Sequence, residues 1–346
     1  MHCLGNPAIL AFALVLCGCA SPQTNLPPAP QTLHSIYHSR VIDSATAQTI
    51  TLEELADSLR NADVVIVGEF HGHNGAHLLQ SRLQVALHER RPEQVLSLEQ
   101  FNVDQQGTLD EYLAGEIGEE TLIQRTDAWA NYRASYRPLV EFARRHQLPV
   151  VAANAPADLV RCVGREGAGY LDSLADNVSQ WVPDEPFFTV PAYRDKFLAA
   201  MSHGGHGGHS DAGERSFKAQ LLRDNTMARA ILEARKSYPE HQVLHITGTF
   251  HSEGGLGTVA ALRHRAPGLS IRVLTPVIVQ DATTTLGAGE RTGDEYLYQL
   301  LPLPPEYRDP ELRRQAMAER FARTPDVRCP AEGPQRMEPD NRLPKT

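Results

Sequence analysis

Two short segments share one chemistry-bearing pattern. Gly68-Glu69-Phe70-His71 and Gly248-Thr249-Phe250-His251 each follow a run of apolar residues with Gly-x-x-His. Between them Glu99 stands near the end of a third such run, residues 94–101. An imidazole titrates near neutral pH and ligates metals. Two histidines and one carboxylate with an open position suit Zn or Mn, and a second carboxylate then serves as the base of a hydrolysis. Glu69, His71, Glu99 and His251 are therefore candidate catalytic or metal-binding residues. The competing reading is a purely structural network of hydrogen bonds.

These residues need elements that bring them together. Residues 63–68 enclose a continuous apolar run, the pattern of a strand buried on both faces. Further strands are expected at 94–101, 148–153, 242–247 and 270–275. Helical spacing marks 76–91, 108–117, 119–124, 136–146, 193–201 and 218–236. Strands alternating with helices imply an α/β fold, a mainly parallel sheet covered by helices. In such sheets ligands gather outside the carboxyl ends of the strands, where Glu69, His71, Glu99 and His251 are expected. Residues 155–240 contain no convincing core strand and read as a helical cap insertion in an α/β domain spanning 35–300. Residues 301–346, rich in proline and charge, read as a surface tail.

The paired Gly-x-x-His segments, with Glu69 in the first and Glu99 on the next strand, resemble the Tiki, TraB and erythromycin-esterase superfamily. Four more segments narrow the resemblance to its ChaN-like branch. They are Trp129-Ala130-Asn131-Tyr132-Arg133-Ala134-Ser135-Tyr136, Ala152-Ala153-Asn154-Ala155-Pro156, the run from Gln220 to Ala228 around Asp224, and the glycine-rich turn at 248–257. This resemblance implies haem binding, a part in haem or iron uptake beside the uptake machinery, and a homodimer enclosing two cofacial haems. It also implies an iron held by a tyrosine. Ferric iron is hard, and a phenolate is a known axial ligand. Tyr132, Tyr136 and Tyr193 are the candidates, and the residues alone leave the choice open. His203, His206 and His209, spaced by glycine pairs, are further candidates to capture haem or a divalent metal, with a solvated loop as the alternative. Superfamily relatives also include hydrolases. The second expectation is therefore a membrane-anchored, metal-dependent peptidase or esterase.

The first residues carry an address. Residues 8–16 are apolar but too few to span a bilayer as a helix. They lead into Leu16-Cys17-Gly18-Cys19, which resembles a bacterial lipobox. This reading makes 1–18 a signal peptide, Cys19 the lipidated residue and 19–34 a proline-rich tether. Ala20, rather than Asp, follows Cys19, and by resemblance to bacterial sorting this points to the outer membrane, facing the periplasm. An exported chain meets an oxidising compartment. A Cys162–Cys329 bridge is allowed there and would pin the tail. The net charge of -9 leaves no basic excess to neutralise phosphates, which excludes a nucleic-acid binder.

Overall fold

The structure, a computed structural model, describes residues 32–203, 210–283, 295–322, 327–330 and 333–336. The expected signal peptide, Cys19, His206 and His209 lie outside the described residues, as does the side chain of His203.

The chain opens with β1 (Ser39–Asp43) and β2 (Gln48–Ile50). Next come α1 (Leu52–Leu59), β3 (Val64–Glu69), α2 (Asn74–Arg90) and β4 (Gln94–Asn102). Four helices follow, α3 (Gln106–Leu113), α4 (Glu119–Thr126), α5 (Tyr132–Ser135) and α6 (Arg137–Arg145), then β5 (Val150–Asn154). The link to β6 (Gln242–Gly248) is helical: α7 (Ala157–Glu166), α8 (Asp176–Ser179), α9 (Pro191–His203) and α10 (Asp211–Ser237). The chain continues through α11 (Thr258–Arg265), β7 (Ile271–Ile278), β8 (Glu295–Leu300), α12 (Pro310–Ala322), β9 (Val327–Arg328) and β10 (Gln335–Arg336).

Among the described residues the main sheet has eight strands, ordered β2-β1-β8-β7-β3-β6-β4-β5. The stretch from β8 to β5 is parallel, while β1 runs antiparallel to both β8 and β2. This is the expected α/β fold. All five strands read from the apolar runs are present. The antiparallel edge of β1 and β2, and β8 beside them, were not expected.

Alternation along each strand divides the core. Val65, Val67, Leu96, Leu98, Leu244 and Ile246 face the layer with α1, α2 and α6. Val64, Ile66, Val95, Val243 and Val273 face Ala228 and Ile231 of α10 and Val259 and Leu262 of α11. The second half of α10 therefore covers the sheet. Its first half packs Phe217 and Leu221 against Tyr193 and Phe197 of α9. Because β3, β6 and β4 are adjacent, whatever leaves their carboxyl ends shares one crevice.

Cys162 of α7 and Cys329, just beyond β9, are joined in a disulfide with Cα atoms 5.5 Å apart. The tail is further fixed by Arg165, which donates to the Val327 carbonyl at 2.5 Å, and by the Tyr170 hydroxyl, which donates to the Pro330 carbonyl at 3.0 Å.

Candidate functional site

Glu69 is the last residue of β3 and is almost fully buried. A lone carboxylate there would be costly, and the surrounding donors offset that cost. Glu69 accepts from the Tyr136 hydroxyl at 2.5 Å, Gln80 Nε2 at 2.5 Å, His71 Nδ1 at 2.8 Å and Gln100 Nε2 at 3.4 Å. His71 sits just past the strand, with its carbonyl held by Asn131 Nδ2 and its ring edge-on to Trp129. Its side chain remains 46% exposed, so the ring reaches both the network and solvent.

A second arrangement repeats this chemistry on the other side of β6. His251 Nδ1 lies 2.8 Å from Asp224 Oδ1, and Asp224 also accepts from the Tyr193 hydroxyl at 2.8 Å and from Thr258 Oγ1 at 3.0 Å. Each imidazole is thus oriented by a carboxylate that a buried tyrosine also engages. Gly257 permits the second arrangement. It has φ +55°, and a Cβ there would meet the His251 carbonyl at 2.6 Å and Asp224 Oδ1 at 2.7 Å.

Glu99 lies between the two imidazoles. Its Oε2 accepts from Thr247 Oγ1 at 2.7 Å and the Gly248 amide at 2.6 Å, and its Oε1 is 3.5 Å from His251 Nε2. Burial opposes the Glu99 charge, but the two imidazoles and these hydrogen bonds outweigh it, and its pKa falls to about 2. For His71, burial works against the cation. The Glu69 hydrogen bond and the Glu99 charge prevail, and its pKa is raised. His251 is raised too, with burial overcome by Asp224 and Glu99. Glycine at position 248 leaves room for His71, whose Nε2 would lie 2.8 Å from a Cβ there.

These groups open onto a cavity of about 410 Å³, of a size with small-ligand pockets. His71, Glu99 and His251 line it, with Trp129, Arg161 and Arg223. Phe70, beside His71 in the chain, is 37% exposed.

The structure brings Glu69, His71, Glu99 and His251 to one crevice but does not arrange them as metal ligands. Among the described residues no group of three or more His, Cys, Asp or Glu side chains is placed to hold a metal ion. His71 Nδ1 and His251 Nδ1 are each held by a carboxylate, and Glu99 Oε2 accepts from Thr247 and the Gly248 amide. The three tyrosines expected as candidate ligands are turned inward in this structure. Tyr136 and Tyr193 are buried and their hydroxyls serve Glu69 and Asp224, while the Tyr132 hydroxyl is buried beside Phe101 with no hydrogen-bond partner among the described residues. None of the three lines the cavity. Burial first, then neighbouring negative charge, lifts all three phenols well above their ordinary pKa, which opposes phenolate formation.

Sequence reasoning did not nominate Asp224, Arg223, Arg161, Gln80 or Trp129 as site residues. Asp224 left two signals: it stands in the 220–228 run that carries the family resemblance, and it is an acid among Leu221, Leu222, Thr226 and Met227 on a helix that buries all of them.

A family model described as haem-binding uptake, Tiki superfamily, ChaN matches residues 55–262. Among solved structures, one described as cofacial haem binding to ChaN of Campylobacter jejuni is similar at 15% identity. It covers 76% of this chain and 97% of that one, with a TM-score of 0.59. An erythromycin esterase mutant in its open conformation is similar at 14% identity over 81% of this chain and 87% of that one, with a TM-score of 0.40. The type III effector HopBA1 is similar at 11% identity over 78% and 100%, with a TM-score of 0.43. No curated protein matches the sequence.

Proposed function

Since the chain belongs to the haem-binding uptake, Tiki superfamily, ChaN family, we propose that it binds haem as cargo at the carboxyl edge of its sheet and assists haem or iron uptake. One observation carries this reading: the matched region, 55–262, contains every residue that lines the cavity. The donor set suits the cargo. Haem is an apolar disc bearing two carboxylates and an iron. Trp129 offers ring surface, Arg161 and Arg223 offer carboxylate donors, and His71 offers an imidazole. A carboxylate on the far nitrogen is how proteins orient an imidazole and raise its basicity toward a metal. On this reading His71, rather than Tyr132, Tyr136 or Tyr193, reaches the iron. The two buried tyrosines that serve Glu69 and Asp224 hold the carboxylates that orient the imidazoles. A cavity of this size takes an edge of the disc, and a second copy of the chain covers the exposed face, as cofacial binding would require. The glycine-spaced His203, His206 and His209 are a capture loop in the same proposal.

Titration with ferric haemin tests this. A saturable shift of the Soret band is expected, changed in His71→Ala and preserved in Tyr136→Phe and Tyr193→Phe. A wild-type protein without saturable binding sinks the proposal. A spectrum that depends on a tyrosine but not on His71 sinks the ligand assignment. A variant with His203, His206 and His209 all changed to Ala reports on the loop.

The same proposal places the protein on the outer membrane through lipidated Cys19. Two acyl chains on one residue hold a protein stably, whereas one holds it only marginally. A Cys19→Ser variant should leave the membrane fraction, and its retention in high salt would refute the anchor.

A further inference from the structure

Two guanidiniums share the cavity wall. Arg223 lies midway along α10, and Arg161 lies on α7, which packs against α10. Arg223 Nη1 donates to Asn154 Oδ1 at 3.1 Å, and among the described residues no carboxylate forms an ion pair with Arg223. Asn154 is fixed in turn: its Nδ2 donates to the Glu99 carbonyl at 3.1 Å, and its Oδ1 accepts from the Ala155 amide at 2.9 Å. Arg161 uses Nη1 for Asp158, at 2.5 Å.

The arrangement is costly as it stands. Burial disfavours the Arg223 cation most; the Glu99 and Asp224 charges favour it and the Arg161 charge opposes it, and the pKa of Arg223 is held below its ordinary value. An anion taken by Arg223 from the cavity would offset its burial and the Arg161 charge. The planar fork of a guanidinium matches the two oxygens of a carboxylate. Glu99 and Asp127 line the same cavity, so the two arginines supply the positive charge that an entering anion would meet there. His71 and Trp129, where the disc of the cargo is assigned, line the same cavity.

We propose that Arg223 and Arg161, steadied by Asn154, form a carboxylate subsite that takes a propionate of bound haem. The assignment rests on the haem reading for the source of the carboxylate, while the subsite itself has an independent readout.

The test compares haemin with haemin dimethyl ester, whose propionates carry no charge. Wild-type protein should bind the ester roughly ten- to a hundredfold more weakly, the worth of charge-assisted hydrogen bonds. Arg223→Met should bind the two forms alike, and Arg161→Gln should narrow the preference. Arg223→Lys, which keeps charge but loses the fork, should fall between. A folded Arg223→Met protein with the full wild-type preference overturns the proposal. If Arg223→Met does not fold, Arg223→Lys and Arg161→Gln decide by the same comparison. If the wild type binds neither form, the haem reading fails alone, and melting in succinate or inorganic phosphate judges the subsite. Stabilisation of wild type but not of the arginine variants by succinate keeps a carboxylate subsite with a free-anion source. Stabilisation by phosphate only, or by neither anion, overturns it.

Discussion

Glu69→Ala is expected to destabilise the protein by about 3–5 kcal/mol, because it removes the acceptor on which a buried network converges. The Tyr136 hydroxyl, Gln80 Nε2 and Gln100 Nε2 all donate to this carboxylate, and His71 Nδ1 and His77 Nδ1 lie 2.8 Å and 3.4 Å from it. The Glu69 side chain is fully buried, so water replaces it only if the packing opens. Tyr136→Phe removes one donor and leaves the rest, and should cost about 1 kcal/mol. Urea denaturation of both variants measures the difference. A Glu69→Ala loss below about 1 kcal/mol would show that the network is not the buried hub described above.

Breaking the Cys162–Cys329 bridge is the second large effect. The two residues are 167 apart in sequence. In chain-entropy terms such a loop gives an upper figure of about 5 kcal/mol, and native bridges typically give about 2–4. Cys329→Ala should lower stability by about 2–4 kcal/mol. Among the described residues the tail then keeps ties such as the buried Val327 side chain and the bonds from Arg165 and Tyr170. Dithiothreitol should bring the wild type to the same level and leave the variant unchanged. Equal stability of oxidised and reduced wild type would contradict this.

The centre of the sheet was legible because β3, β4, β5, β6 and β7 are buried runs whose apolar residues say so directly. The antiparallel edge was hidden by polar interior pairs. Arg40 of β1 is almost fully buried because its Nε donates to Gln299 Oε1 of β8 at 2.6 Å, and neither residue reads as core. In the site, the Gly-x-x-His repeats pointed to Glu69, His71 and His251, since short segments after strand ends carry their chemistry with them. Asp224 could not be found that way. It reaches His251 from a helix far off in the chain, and only the packing of α10 on the sheet brings the two together. The tyrosines illustrate the same limit. A phenol before a helix looks alike in sequence whether it faces a ligand or donates to a buried carboxylate, and the difference lies in which way the folded helix turns it.

The location of haem is the central claim, and the two tryptophans report on it directly. Trp129 lines the cavity with His71, whereas Trp181 lines a separate groove beside β5. Ferric haemin is paramagnetic and broadens nearby proton signals. In a spectrum of the ¹⁵N-labelled protein, with the two indole N–H signals assigned through Trp181→Phe, added haemin should erase the Trp129 signal first and leave Trp181 the sharper of the two. Loss of the Trp181 signal while Trp129 stays sharp would contradict the account.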